Sequence, residues 1–184
     1  MAKLTPGQKM PDFAFSTPYE QGRTLGETVR RVKGKTALVF LRYYGCTLCQ
    51  YNIHIFAAEQ EKIAATGGQM LVVLQSAPEK LGAQIEKGKL PFDIICDPDQ
   101  TLYKLLDIKP ANSKEEMRDE TTADKMAAIK AKVPVEYTHG EYEGNEFQLP
   151  ATFVVEPDLT VTYAGYHKTI TDTPGPEELA GLLK

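Results

Sequence analysis

The sequence contains no run of about 18 apolar residues, so we expect no helix that crosses a membrane. It also has no stripe of basic residues, and its formal net charge of −4 argues against nucleic acid as a partner. Residues 1–8 hold no apolar core of the kind found in signal peptides. We therefore expect a cytoplasmic protein without nucleic-acid or membrane partners.

Cysteine is scarce, with three residues in a chain of 184. A secreted domain held together by disulfides would carry more cysteines, and an even number of them. The chain is long enough to bury a core without such crosslinks, and it shows no internal repeat or low-complexity tract. We expect a single domain over residues 1–184, in which a close pair of cysteines would serve catalysis or metal binding.

Two of the three cysteines form a C-x-x-C motif, Cys46 and Cys49, between an apolar run at 37–41 and a helical pattern. Thiols three residues apart can lie on one helical turn, close enough to form a disulfide. A helix N-terminus favours a thiolate over a thiol. The motif therefore predicts dithiol–disulfide chemistry, with an exposed Cys46 as the attacking thiolate and a more buried Cys49 as the resolving thiol.

Two other interpretations of the cysteine pair remain open. Buried cysteines can simply be small core residues, which is the interpretation we favour for Cys96 in its apolar strand. Structural zinc requires four cysteine or histidine ligands. His54 is expected on the surface and on a different helical face from Cys49, whereas His139 and His167 are distant in sequence. We predict no metal site and no cofactor.

The order of the predicted elements indicates an α/β fold. Apolar runs predict strands, and amphipathic segments between them predict helices, so the leading strands are expected to pair in parallel. Predicted strands lie at 36–42, 70–74, 92–96, 152–155 and 160–163, and predicted helices at 46–66, 78–88, 102–106, 123–132 and 176–183. Residues 1–35 form an N-terminal extension. The charged stretch 109–148 is interpreted as an insertion or lid over the core.

Pro150 stands directly before the predicted strand at 152–155. A proline there can be ordinary, since a missing N–H is tolerated at the start of a strand. Taken together with the C-x-x-C motif, it is expected to be a cis-proline that packs against the dithiol. In that arrangement the backbone around Leu149 and Pro150 would be free to bind a partner chain.

Four segments together resemble the peroxiredoxin-like alkyl hydroperoxide reductase/thiol-specific antioxidant family, which has a thioredoxin fold. They are PDF at 11–13, LVFLRYYGCTLC at 38–49, CDPD at 96–99 and LPATFVVEPD at 149–158. The resemblance implies a thioredoxin-like α/β fold, in which helices flank a central mixed sheet. It also implies reduction of peroxides or disulfides by thiols, recycling by a thioredoxin-like or small-thiol reductant, and a homodimer as a common assembly.

The site departs from both signatures of the wider superfamily. Peroxiredoxins place P-x-x-x-T/S-x-x-C before the attacking cysteine, and with Cys49 in that role Arg42 and Cys46 take the Pro and Thr positions. With Cys46 in that role, Val39 and Tyr43 take them. Thioredoxins have W-C-G-P-C, whereas Thr47 and Leu48 lie between the cysteines here. Neither register supplies the family's threonine hydroxyl, so the order of attack stays open.

The sequence thus predicts a peroxiredoxin-like thiol oxidoreductase that reduces peroxides and cycles through a Cys46–Cys49 disulfide. A protein disulfide reductase and a non-catalytic or metal-handling module are the alternatives. Arg42 either stabilises a thiolate or pairs with an acidic neighbour. The residues expected to contact substrate or partner are Arg42, Thr47, Leu48, Leu149 and Pro150.

Overall fold

The computed structural model describes residues 3–184, so the first two residues of the expected domain lie outside it. A five-stranded mixed sheet with the order β5-β4-β3-β6-β7 forms its centre. Strands β3, β4 and β5 pair in parallel, whereas β6 and β7 pair antiparallel. The sheet strands are β3 (Thr36–Phe40), β4 (Gln69–Leu74), β5 (Asp93–Cys96), β6 (Ala151–Val155) and β7 (Val161–Tyr166).

Helices cover the sheet, and a separate two-stranded ribbon precedes it. The ribbon consists of β1 (Ala14–Phe15) and β2 (Arg23–Thr24). The helices are α1 (Leu25–Val29), α2 (Thr47–Ala58), α3 (Gln60–Ala64), α4 (Pro78–Gln84), α5 (Thr101–Leu105), α6 (Thr122–Ala131) and α7 (Pro176–Leu183). The predicted mixed sheet flanked by helices is therefore confirmed.

Strand β3 is buried on both faces because apolar side chains occupy every position after Thr36. Successive side chains of a strand point to opposite faces. Ala37 and Val39 face the cluster that contains residues of α2 and α7. Leu38 and Phe40 face the cluster that contains residues of α1 and α5. Two hydrophobic layers thus hold the sheet and fix the strand from which the C-x-x-C segment emerges.

Several predicted boundaries are wrong, among them the helix predicted at 78–88, which ends at Gln84, and the strand predicted at 160–163, which is Val161–Tyr166. The central strand ends at Phe40 rather than at residue 42, because its pairing with β6 stops at Phe40 and Ala151, although Leu41 N still donates to the Val73 carbonyl and the Arg42 carbonyl still accepts from Gln75 N. The helix predicted at 46–66 is two helices. Glu59, with φ −114° and ψ 23°, leaves helical geometry between α2 and α3. Its carbonyl accepts from Lys62 N, three residues ahead instead of four, which breaks the α-helical hydrogen-bond ladder.

A tyrosine anchors the end of the sheet from which the site projects. The Tyr103 hydroxyl donates to the carbonyl oxygen of Leu41 at 2.6 Å and to that of Val73 at 3.0 Å. Tyr103 is 1% exposed, so its ring also fills core volume beneath the two strands. The hydroxyl satisfies two buried carbonyls where β3 gives way to the loop at 41–46.

Within residues 3–184, no helix has both the length and the apolar character to span a bilayer.

Candidate active site

Cys46 caps the N-terminus of α2. It is the last non-helical residue, with φ −70° and ψ 119°, and its Sγ accepts a hydrogen bond from the Cys49 backbone N at 3.3 Å. A residue in this position places its side chain beside the unpaired N–H groups of the first turn. The positive end of the helix dipole lies at the same point. The local fold therefore favours negative charge on the Cys46 sulfur.

Arg42 supplies a full positive charge to the same sulfur. Its Nη2 lies 2.9 Å from Cys46 Sγ, and its Nη1 donates to the Glu146 carbonyl oxygen at 2.8 Å. Of the two roles that the sequence left open for Arg42, the structure shows the contact with the cysteine. The guanidinium bonds a backbone carbonyl with its other branch, and not a carboxylate. Arg42 Nη2 and the Cys49 backbone N therefore both donate to the Cys46 sulfur and favour negative charge on it.

The two thiols differ in acidity. A hydrogen bond from the Cys49 side chain lowers the pKa of Cys46 most, burial opposes this, and the Arg42 charge lowers it further, to about 6. Burial raises the pKa of Cys49 well above its usual value, and the adjacent Cys46 raises it further. The surroundings of the pair therefore favour a thiolate on Cys46 and a proton on Cys49.

The expectation of an exposed Cys46 is wrong. Cys46 is 0% exposed and Cys49 is 4% exposed. The loop at 41–46 tucks the Cys46 sulfur under Arg42 and the first turn of α2, which is why a position at the start of a helix is not a surface position here. A narrow cleft of about 10 Å³ reaches the pair, and it is lined by Cys49 but not by Cys46.

Residues from several parts of the chain line the cleft. A volume of this size is about that needed for one water molecule. Arg42, Leu48 and Pro150, three of the residues expected to contact substrate or partner, form part of its wall. Thr47, the first residue of α2, is partly buried and does not line the cleft. Three polar residues that sequence reasoning missed also line it, namely Asn52, Gln148 and Thr173.

The predicted cis-proline is absent. Among residues 3–184 no peptide bond is cis, so the bond before Pro150 is trans. The two isomers of such a bond differ by only ~0.5–1 kcal/mol in an unfolded chain, so local sequence cannot select between them. Both backbone carbonyls there already accept hydrogen bonds within the chain. The Leu149 carbonyl accepts from Gln148 Nε2 at 3.1 Å, and the Pro150 carbonyl accepts from His167 N at 3.1 Å.

Residues 139–146, here called the strap, cross the loop that carries Cys46. Gly140 N donates to the Gly45 carbonyl at 2.8 Å, and a Cβ at Gly45 would overlap the Glu141 carbonyl oxygen. The strap also contacts the end of β4, where Asn145 N donates to Gln75 Oε1 at 2.7 Å. The missing side chains of Gly45 and Gly140 permit this close approach, and no pattern in the sequence pointed to the pair.

The three histidines and the third cysteine are not part of the Cys46–Cys49 site. His54 is half-buried, with Nδ1 2.9 Å from the Tyr137 hydroxyl, and is not the solvated residue expected. His139 belongs to the strap, and His167 contacts Thr152 Oγ1 at 3.0 Å. Cys96 is buried as predicted, and burial raises the pKa of its thiol to about 12. Within the described chain, no group of three or more metal-ligating side chains occurs.

Comparisons with known proteins concern the family and the fold of the chain. The profile of the AhpC/TSA family matches residues 6–164. Among curated proteins, none matches the sequence significantly. The fold is similar to that of peroxidoxin BcpB from Mycobacterium tuberculosis, at 13% identity and a TM-score of 0.64, over 97% of this chain and 95% of that one.

Two further structures share the fold. A peroxiredoxin-like protein from Aquifex aeolicus is 12% identical with a TM-score of 0.65, over 100% of this chain and 88% of that one. A putative thiol:disulfide interchange protein DsbE from Chlorobium tepidum is 17% identical with a TM-score of 0.58, over 98% of this chain and 96% of that one. Identities this low establish the shared fold alone.

Proposed function

The chain belongs to the AhpC/TSA family, and we propose that it is a thiol peroxidase whose Cys46–Cys49 pair cycles between dithiol and disulfide. The observation that carries this proposal is the Arg42 Nη2 contact with Cys46 Sγ, at 2.9 Å, beside a second thiol. A thiolate is the nucleophile that attacks peroxide. A neutral thiol held next to it is the group needed to resolve the first product.

The reaction proceeds in two oxidative steps. The Cys46 thiolate attacks one peroxide oxygen, an S–O bond forms, the O–O bond breaks, and the leaving alkoxide or hydroxide takes a proton from solvent. This gives a sulfenic acid on Cys46. The Cys49 sulfur then displaces water from that sulfenic acid and forms the disulfide. Two electrons from a thioredoxin-like or small-thiol reductant restore the dithiol, and a cytoplasmic location would supply such thiols.

The order of attack rests on acidity. Cys46 carries the low pKa, about 6, and is the thiolate at neutral pH. The opposite order, with Cys49 attacking, is favoured by a different observation, because Cys49 and not Cys46 lines the cleft. The pKa therefore favours Cys46 as the sulfur that attacks peroxide, whereas access through the cleft favours Cys49. We give ionisation the greater weight because a neutral thiol is a poor nucleophile.

Trapping of the sulfenic acid tests this order. Cys46→Ser and Cys49→Ser, each combined with Cys96→Ala, are treated with one equivalent of hydrogen peroxide and a sulfenic-acid probe. We expect the probe on Cys46 in the Cys49→Ser variant and little in the Cys46→Ser variant. A probe signal confined to Cys46→Ser would reverse the order, and no signal above that of the variant lacking all three cysteines would remove the peroxidase function.

Reduction of protein disulfides is the second candidate. The neighbour from Chlorobium tepidum, titled as a putative thiol:disulfide interchange protein, has the same fold. The size of the cleft, about 10 Å³, favours a small oxidant over an extended protein segment. Stopped-flow mixing of the reduced protein with hydrogen peroxide and with oxidised insulin separates the two. A faster rate with insulin would favour the reductase, and no thiol-dependent turnover would favour a binding or metal-handling module.

We propose that the insertion at 109–148 acts as the lid that shapes access to Cys46. The strap bonds Gly45 through Gly140 N, and the Glu146 carbonyl accepts from Arg42. The segment thereby contacts Gly45, which precedes Cys46, and the Arg42 guanidinium, which bonds the Cys46 sulfur. Replacement of 139–146 by a short Gly-Ser linker should change the ratio of rates for hydrogen peroxide and a bulky hydroperoxide. An unchanged ratio would count against the lid.

A further inference from the structure

A threonine hydroxyl at the cleft lacks a hydrogen-bond partner within the described part of the chain. The Oγ1 atom of Thr173 is buried, and it finds no donor or acceptor among residues 3–184. Thr173 and Cys49 line the same cleft. Buried hydroxyls are nearly always hydrogen-bonded, so an unpaired one calls for an explanation. A small polar molecule in the cleft would supply the partner.

The loop at 167–175, between β7 and α7, holds Thr173 at the cleft. Lys125 Nζ, on α6, donates to Asp172 Oδ1 at 2.8 Å. The other carboxylate oxygen, Asp172 Oδ2, accepts from Thr169 N at 2.9 Å. These two bonds fix the residue that precedes Thr173 to a neighbouring helix and to its own loop. The fold therefore positions the hydroxyl before any ligand binds.

The size and the walls of the cleft limit what can occupy it. Its volume of about 10 Å³ is close to that needed for one water molecule. Hydrogen peroxide exceeds water by one oxygen atom, and it can both donate and accept hydrogen bonds. An alkyl or aryl hydroperoxide adds a hydrocarbon group, which a cleft of this size cannot enclose. Four apolar residues contribute to the walls, namely Leu41, Leu48, Pro150 and Ile170.

We propose, on the basis of the function above, that the cleft binds hydrogen peroxide in preference to organic hydroperoxides. The Thr173 hydroxyl donates a hydrogen bond to one peroxide oxygen, and the Ile170 side chain closes the site to a hydrocarbon group. Arg42 lines the same cleft, and its Nη2 lies 2.9 Å from the Cys46 sulfur. Peroxide in the cleft is thereby placed at the cysteine pair, whichever of the two sulfurs attacks it.

Removal of the hydroxyl tests the hydrogen bond. Thr173→Val, Thr173→Ser and a control, Thr171→Val, are made in the Cys96→Ala background, so that loss of thiols reports on the Cys46–Cys49 pair alone. Each reduced protein is mixed with hydrogen peroxide in quenched flow, and its remaining thiols are titrated. Thr173→Val should slow the loss of thiols about five- to tenfold, the range of one hydrogen bond. Thr173→Ser should restore the rate.

The control variant lies on the same loop. The Thr171 hydroxyl is buried but already contacts Thr169 Oγ1, at 3.1 Å, so Thr171→Val should leave the peroxide rate unchanged. Alkylation of Cys46 by iodoacetamide should be equal in all variants, because that reagent does not need the hydroxyl. Equal peroxide rates for Thr173→Val and the parent would overturn the proposal. A slower rate that Thr173→Ser does not restore would also overturn it, because packing and not the hydroxyl would then be responsible.

A wider cleft tests the selection by size. The measured quantity is the ratio of the second-order rates with hydrogen peroxide and with cumene hydroperoxide, which should be well above one in the parent. Ile170→Ala removes wall atoms and should lower that ratio about tenfold. Ile63→Ala is the matched control, because Ile63 is 0% exposed on α3 and does not line the cleft, so its ratio should stay at the parent value.

A conservative variant covers the case in which Ile170→Ala does not fold. Ile170→Val should lower the same ratio by a smaller factor, and an unchanged ratio would refute the role of this wall. A parent protein that loses no thiols to either peroxide would refute the proposed peroxidase and this site with it. A parent that reacts equally fast with hydrogen peroxide and cumene hydroperoxide would remain a peroxidase but would refute the selection.

Discussion

The Arg42 guanidinium lies 2.9 Å from the Cys46 sulfur, and its second branch bonds the Glu146 carbonyl at 2.8 Å. One side chain thus connects the reactive sulfur to the strap. The planar fork of arginine makes both contacts at fixed spacing, which the single ammonium of lysine cannot reproduce. Burial opposes the charge on Arg42, but the neighbouring cysteines raise the pKa of the guanidinium. The charge therefore persists inside the site.

Loss of the Arg42 charge should make Cys46 a weaker acid. In Arg42→Met, the pH midpoint for alkylation of Cys46 by iodoacetamide should rise by ~1–2 pH units above that of the wild type, because the Arg42 charge is one cause of the lowered Cys46 pKa. Arg42→Lys, the matched control, keeps the charge and should shift the midpoint less. The midpoint is read from rates between pH 4 and pH 10, with the alkylated residue identified by mass. An unshifted midpoint in Arg42→Met would mean that Cys49 and the helix N-terminus sustain the thiolate without Arg42.

The same ionisation should make stability depend on pH. The pKa of Cys46 falls from its ordinary value of 9.0 to about 6 in the folded protein. A group whose pKa is lower when folded stabilises the native state fully above its unfolded pKa. That contribution shrinks as the pH falls from about 9 and is lost below about 6. Urea unfolding should therefore show a free-energy gap between wild type and Cys46→Ser that widens from pH 5.5 to pH 9. A constant gap would contradict the assignment of the thiolate.

Gly45, which lies beneath the strap, should be intolerant of substitution. A Cβ at Gly45 would overlap the Glu141 carbonyl oxygen, which belongs to backbone and cannot rotate away. Gly45→Ala should cost ~1–3 kcal/mol in the free energy of unfolding and displace the strap. Alkylation of Cys46 should become faster as a result. Gly181→Ala is the control, because a Cβ there meets nothing within 4 Å and should stabilise α7. Slower or unchanged alkylation in Gly45→Ala would argue against the strap as a cover for Cys46.

Cys96 should be dispensable for turnover. Burial raises the pKa of its thiol to about 12, so it holds almost no thiolate at neutral pH. Cys96→Ala should keep the peroxide rate within about twofold, while it loses about 1 kcal/mol of stability through the small cavity. Thiol counting after one equivalent of peroxide should find two thiols lost, as in wild type. Loss of only one thiol in Cys96→Ala would give Cys96 a resolving role.

The sequence by itself determined the frame. Continuous apolar runs predicted the buried strands β3, β4 and β6, and the alternation of strands with helices indicated an α/β fold with parallel pairing. These features follow from local patterning, because an apolar strand has no stable place except inside a core. The sequence also placed the dithiol at the start of α2, because the C-x-x-C motif lies between an apolar strand pattern and a helical pattern.

Only the tertiary structure decided what surrounds the sulfurs. The burial of Cys46, its contact with Arg42 and the strap over Gly45 all depend on segments far apart in sequence, as in the bond between Arg42 and the Glu146 carbonyl. The trans bond before Pro150 and the unpaired hydroxyl of Thr173 were also beyond local inference. Spacing between cysteines sets how close they can come. Their exposure and charge depend on long-range packing, which no short motif encodes.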